Sequence, residues 1–285
     1  PYNNNISVGG DSLPLTSANG TLSSCGITIT QDSTLSDNIT CTTAGNAITI
    51  AADDITIDCN NNILEGIGVD AGINIERHKN VVIRNCNITN FYYGIEILHS
   101  DNIRINSSNN IYANDFYGIY QFNTSNTAVI GNEIINDNNG IYSIGSSNTT
   151  IDRNNISLQK KFYGVYLFNS ENNFISNNTL LDNYHGIYLV NSSNTNITEN
   201  NITASDVYSL FVHKATTNSF FRGNNFTTSQ EGIRIKQGSN DNVFSNNSLE
   251  NNLNYGIRST DSNNNLFRNN TLINNSLNVH LKNSN

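Results

Sequence analysis

The 285-residue chain has no methionine, no tryptophan, two prolines and four cysteines, and only 13% of its residues carry charge. Each scarcity excludes something. Without methionine, and with five scattered histidines, a soft transition-metal centre lacks its usual donors, so no cofactor is expected beyond calcium. Fourteen basic against twenty-three acidic residues leave a net charge of -9, which speaks against a nucleic-acid partner, whose phosphates need a basic surface. No run of about 18 apolar residues occurs, so no membrane span is expected. Sparse charge leaves asparagine, serine and threonine to cover the surface, as suits a solvated rod or a sugar-facing one.

What is present is a repeat. Glycine recurs as Gly72, Gly94, Gly118, Gly140, Gly164, Gly186, Gly232 and Gly256, with Ser209 and Asn278 standing in, at spacings of 22, 24, 22, 24, 22, 23, 23, 24 and 22 residues. So regular a period means a solenoid, in which each turn buries its apolar side only against its neighbours. After the glycine, residues alternate apolar and polar or aromatic, as in Ile95-Glu96-Ile97 and Ile187-Tyr188-Leu189, which is the period of a strand with the aliphatic residues inward. A second apolar run follows, as in NTTI from Asn148. A third mark comes five residues on, as at Ile134, Ile156, Leu180 and Ile202. Three short strands per repeat and no helical period predict an all-β, parallel β-helix of about 10 to 12 rungs of 22–24 residues, roughly 50 to 58 Å long.

Asparagine supports this. It stands two residues before the third mark at Asn109, Asn132, Asn154, Asn178, Asn200, Asn224, Asn247 and Asn270, with Cys86 in the same place one turn earlier. A fixed column of this kind predicts a ladder of side-chain amides between rungs, at a bend whose left-handed backbone asparagine tolerates. Leucine-rich repeats of similar period need several leucines per turn and are excluded. The repeat GIYLxNSSNTxI followed by Asn-x-Ile resembles the right-handed parallel β-helix repeats of the NosD-like and carbohydrate-binding/sugar-hydrolase type, over residues 25 to 281. That resemblance implies a fold and little about function, since the fold carries enzymes, adhesins and envelope proteins alike.

Residues 1–24 lack the repeat and read as an arm or linker. Residues 25–285 read as the β-helix, with 25–71 as capping rungs and 72–285 as regular repeats. A start at Pro1 with no methionine suggests that a signal has been removed or lies outside this sequence, and the closing NVHLKNSN ends just after a strand, an edge expected to meet a partner or more chain. Four cysteines allow three pairings. The expected one joins Cys25 to Cys41 and Cys59 to Cys86, because neighbouring turns bring Cα atoms within the roughly 4.4 to 6.8 Å a disulfide needs, with free buried thiols as the alternative. Disulfides would place the protein outside a reducing cytosol. Sixteen N-x-[ST] sequons occur, among them Asn38, Asn87, Asn106, Asn148, Asn191, Asn196, Asn225 and Asn269, and are candidate N-glycosylation sites.

Three columns could carry chemistry. Two residues after each glycine run Asn74, Glu96, Tyr120, Tyr142, Tyr166, Tyr188, Phe211, Arg234 and Arg258, an outward aromatic stripe. Leu98, Phe122, Ile144, Phe168 and Val190 run beside it, before His213 and Lys236. The stripe could be a stabilising ladder, a contact surface for another subunit or a platform for sugar rings. The aliphatic neighbours favour protein contact. The charged run Glu76, Arg77, His78 and Lys79, then Glu96, His99, Asp101 and Arg104, could supply acid, base and cation; Glu76, Glu96, His99 and Asp101 are the catalytic candidates, and a solvated cluster is the default. Asp115, Asp137, Asp182 and Asp206, interrupted by Lys161, could share calcium across rungs. These observations predict a secreted or cell-surface structural protein that associates with itself, with a carbohydrate-active protein as the alternative.

Overall fold

The computed structural model describes the strands Asn5–Val8 and Asp11–Pro14 and residues 25–285 apart from 107 and 160. The described residues contain strands and no helix. One sheet has fourteen strands and two have eleven each, and apart from a hairpin at the start every pairing within them is parallel. Each turn passes once through every sheet and climbs one rung, which is the predicted parallel β-helix. The sheet whose strands carry the glycines has six-residue members such as Tyr93–Leu98 and Tyr117–Phe122, and is the long sheet below. The second and third sheets use three-residue strands such as Thr150–Asp152 and Asn155–Ser157.

The period-two pattern puts aliphatic residues inward on most rungs, with Gln121, Ser143 and Ser259 taking inward places in the long sheet. Ile95, Ile97, Ile105, Ile111, Ile134 and Ile151 are completely buried in a core that runs the length of the helix. Each such side chain contributes about 1.5 to 3 kcal/mol relative to exposure. Glycine recurs because a corner of the rung is crowded: a Cβ on Gly94 would stand 2.5 Å from the Gly118 carbonyl oxygen and 2.6 Å from a methyl of Ile111.

The predicted asparagine ladder is present and fully bonded. The backbone N–H of Asn154 donates to Asn178 Oδ1 at 2.9 Å, and Asn154 Nδ2 donates to the same oxygen at 3.0 Å and to the Val129 carbonyl at 2.9 Å. Asn178 repeats the pattern on Asn200. Cys86, at the head of the column, donates its N–H to Asn109 Oδ1 at 2.9 Å. One detail differs from expectation: the left-handed residue is the one before each ladder asparagine, as at Ser108, Arg153, Asn177, Glu199 and Asn246. The bend is therefore made by one residue and tied by the next.

Three further ladders line the other bends. One is of hydroxyls, in which Ser146, Ser170 and Ser192 each donate a backbone N–H to the hydroxyl one rung on, at Ser170, Ser192 and Thr216. Another runs Thr195, Ser219, Asn242, Asn265. The last includes Asn114, Asp137, Gln159, Asn183, Asn252 and Asn275.

At the first rung, β1 (Asn5–Val8) pairs antiparallel with β2 (Asp11–Pro14) and with β3 (Ile27–Ile29), so a hairpin covers the edge of the long sheet. The rest of the 24-residue arm lies outside the described residues. Cys25 joins Cys41 and Cys59 joins Cys86, with Cα separations of 5.1 and 4.8 Å.

Candidate functional site

A six-residue strand on the long sheet turns three side chains outward: the residue before the glycine and the second and fourth after it. Pairing registers stack the middle one as Asn74, Glu96, Tyr120, Tyr142, Tyr166, Tyr188, Phe211, Arg234 and Arg258. The next column is Glu76, Leu98, Phe122, Ile144, Phe168, Val190, His213 and Lys236. Most of these side chains are half-buried against one another, while Asn74, Val190, Phe211 and Arg234 are buried and Glu76 is exposed.

The column before the glycine escaped the sequence reading, which began each strand at the glycine itself. It carries Tyr93, Tyr117, Tyr163, His185 and Tyr208, and doubles the aromatic stripe. A tyrosine before the glycine in YYGI, FYGI and FYGV was the signal that could have revealed it.

Ring geometry decides what this face presents. Tyr93 and Tyr117 stack with centroids 5.3 Å apart and planes 4° from parallel; Tyr142 and Tyr166 stack at 4.4 Å and 18°, and His185 and Tyr208 at 5.1 Å and 7°. Across the columns Tyr117 meets Tyr120 at 5.0 Å and Tyr163 meets Tyr166 at 4.6 Å. In these stacked pairs ring faces are turned to neighbours above and below, whereas Tyr188 is tilted 38° to Tyr166 and meets Phe211 edge-on at 4.6 Å. Burial pushes the Tyr93 hydroxyl up to about 12, and those of Tyr117, Tyr166 and Tyr188 higher still, so all stay protonated donors.

The two ends of the stripe differ in charge. At the early end Asn74 Nδ2 donates to Glu96 Oε2 at 2.8 Å, and burial, with the nearby Glu76 and Asp70 charges, raises the Glu96 carboxyl. At the late end Arg258 donates to Glu231 Oε1 at 3.1 Å and lies over the Tyr255 ring at 4.8 Å, while Arg234 lies 3.9 Å from Glu231. Between them, His213 reaches Gln237 Oε1 at 2.7 Å and the Tyr188 hydroxyl at 3.4 Å. A shallow groove beside it is lined by Phe168, Asn169, Val190, Asn191, Lys214, Ala215 and Gln237.

The early charged run is spread over separate bends. Glu76 pairs with its exposed neighbour Arg77 at 2.6 Å, and His78 with Asp53 at 3.0 Å. Asp101 accepts from the Ser125 hydroxyl and Asn126 amide, which hold it below the usual carboxylate range. His99 lies edge-on to Phe122 at 5.3 Å. Of the four candidates Glu96 sits in the middle column and Glu76 one rung earlier in the column beside it, whereas His99 and Asp101 follow the strand. The aspartate row does not share one face: Asp137 points into the core ladder, Asp182 is half-buried, and Asp115 and Asp206 are exposed. Among the described residues no three His, Cys, Asp or Glu side chains gather as a metal site. Of the sequon asparagines, Asn38, Asn148, Asn191 and Asn269 are exposed and Asn87, Asn106, Asn196 and Asn225 are half-buried.

Residues 107–285 match the family described as periplasmic copper-binding protein (NosD). No curated protein matches the sequence. Among solved structures, the A-module of Azotobacter vinelandii mannuronan C-5 epimerase AlgE6 superposes with a TM-score of 0.58 at 12% identity, covering 94% of this chain and 87% of that one. DFA-IIIase from Arthrobacter chlorophenolicus A6 without its lid gives 0.59 at 10%, covering 90% and 78%. The Dettilon tailspike protein (gp208) gives 0.55 at 16%, covering 90% and 60%. At these identities the likeness is one of fold. The chain spans 60 to 65% of the length of several of the structures it matches.

Proposed function

This chain belongs to the NosD family, and we propose that it is a structural β-helix protein of the periplasm or cell surface whose long sheet is a contact surface for other copies of itself. The family's description supports a place outside the cytosol, and the two disulfides agree with it. One observation carries the contact reading: stacking takes up ring faces at Tyr93–Tyr117, Tyr142–Tyr166 and His185–Tyr208, and the half-buried Leu98, Phe122, Ile144 and Phe168 flank the rings, so a partner meets a continuous, mixed aromatic and apolar face. Tyrosine presented this way suits protein interfaces, where one end is apolar and the other bonds to water or a partner. A sugar platform needs exposed ring faces, and a glycosidase needs two carboxylates converging on one groove. Among the described residues the one carboxylate near Glu96 on this face, Glu76, is paired with Arg77.

The family's description names copper, and the donors here do not fit it. All four cysteines are in disulfides, methionine is absent, His78 is tied to Asp53, and His213 to Gln237 and Tyr188. His185 is enclosed between Tyr163 and Tyr208.

The test is the molar mass of the purified protein by light scattering, before and after Tyr142→Ser with Phe168→Ser, with glycan binding recorded on the same samples. Assemblies that the double variant loses support the contact surface. A monomer that binds a glycan only with those rings intact overturns it in favour of a carbohydrate site.

A further inference from the structure

The order of residues along the middle column is close to symmetrical about Tyr166. Tyr142 and Tyr188 lie one rung away on either side, Tyr120 and Phe211 two, and Glu96 and Arg234 three. The aromatic segment therefore maps onto itself when the rod is turned end for end, while the charges at its two ends exchange. Resting on the reading of the long sheet as a contact surface, we infer that its partner is a second copy of this chain, docked face to face and antiparallel, with a two-fold axis at Tyr166 along the strand direction.

Only two simple two-fold arrangements bring this face onto itself. With the axis along the rod, every rung meets its own copy with the outer columns exchanged, so in the middle column Glu96 faces Glu96 and Arg234 faces Arg234, like charges opposed at both ends of that column. With the axis along the strands, column still meets column but the rungs exchange, and the rung of Glu96 meets the rung of Arg234 and Lys236. The second arrangement places opposite charges together twice, because a two-fold interface repeats each contact.

The charges are free to make those contacts. Among the described residues Glu96 has no ion pair, only the Asn74 amide, and Lys236 has none. They stand on rungs equidistant from Tyr166, in adjacent columns. Glu231 neutralises part of the late end, but two arginines share it, so that end stays positive. Glu76 is offset by Arg77, which leaves Glu96 as the acid that matters at the other end.

Area agrees as well. Nine rungs at about 4.8 Å and six residues at about 3.3 Å give a face of roughly 40 by 20 Å, or about 800 Å². A stable standard interface takes about that much from each partner.

The experiment uses Glu96→Lys and Lys236→Glu, measured for self-association by sedimentation and light scattering, alone and in equimolar mixture, with Glu96→Gln as a milder variant that keeps an acceptor for Asn74. Each charge reversal alone should weaken the dimer about tenfold or more, Glu96→Gln less, and the mixture should recover wild-type affinity because each heterodimer then has opposite charges at both ends. A wild-type dimer that neither reversal weakens, or a mixture no tighter than its components, overturns the antiparallel arrangement and leaves the contact surface standing. Tighter association of Glu96→Gln alone, which removes a Glu96–Glu96 clash, would mean the parallel two-fold. A wild-type protein that stays monomeric at every concentration overturns the contact reading beneath it.

Discussion

Asp137 Oδ1 accepts both the backbone N–H and the side-chain amide of Asn114, at 2.7 and 3.1 Å, while its own Oδ2 is buried without a partner. It is an acid in a ladder of amides. Gln159 and Asn183 in the same column use an amide nitrogen to bond the carbonyls of Ile134 and Ile156, and Asp137 has no such donor unless it is protonated. Burial pushes its carboxyl well above the usual range.

Replacing Asp137 with asparagine restores the missing donor. Because the folded state favours the neutral acid, the wild-type contribution is full below the ordinary carboxylate pKa and is lost as pH rises toward the elevated folded value. Asp137→Asn should therefore raise stability at neutral pH by about 1 to 3 kcal/mol, with little gain at pH 3. Urea unfolding at the two pH values measures it, and equal gains at both would contradict the protonation argument.

Asn178 accepts from Asn154 twice and donates to Asn200 and the Ile151 carbonyl. Asn178→Ala orphans groups on both neighbouring rungs and should cost about 3 kcal/mol or more. The half-buried Asn196→Ala on an outer face should stay within about 0.5 kcal/mol. Thermal and urea melts of the two variants compare them directly.

His185 is stacked between Tyr163 and Tyr208, and burial lowers its pKa to about 4. The fold thus resists its protonation: the contribution is full above the ordinary histidine value of 6.5 and is lost as pH falls toward 4. His185→Phe should flatten that acid limb. NMR titration of the ring should show no protonation at pH 5.5, and a midpoint near 6.5 would contradict its enclosure.

The Cys59–Cys86 bond closes 27 residues across two successive rungs. Its removal by Cys59→Ser with Cys86→Ser should cost about 3 to 4 kcal/mol. Melting temperature with and without reductant is the readout, and the double serine variant should match the reduced wild type.

How much of this was legible follows from what each residue type signals. Ile95 and Ile97 announce an inward face because strand period and burial coincide, and Asn178 stands out because few other side chains can both donate and accept along a column. The serine column of Ser146, Ser170 and Ser192 was hidden, since serine after a bend looks like ordinary loop composition. Tyr93, Tyr117 and Tyr163 were missed because the strand starts one residue before its glycine. Asp137 looked like one of a row of acids, and only the three-dimensional bend shows that it turns inward. The stacking of the tyrosine faces depends on the rung spacing and on both columns together, which no single repeat reveals.

The self-contact of the long sheet is tested most directly by thiol cross-linking of Tyr166→Cys, with Asn155→Cys, exposed on the third sheet, as the control. Facing sheets sit about 10 Å apart, beyond a direct disulfide but within reach of a short bis-maleimide. A contact centred on Tyr166 predicts rapid conversion of Tyr166→Cys to a species of twice the 31.4 kDa chain mass, and slow conversion of the control. Equal, slow cross-linking of both would contradict it.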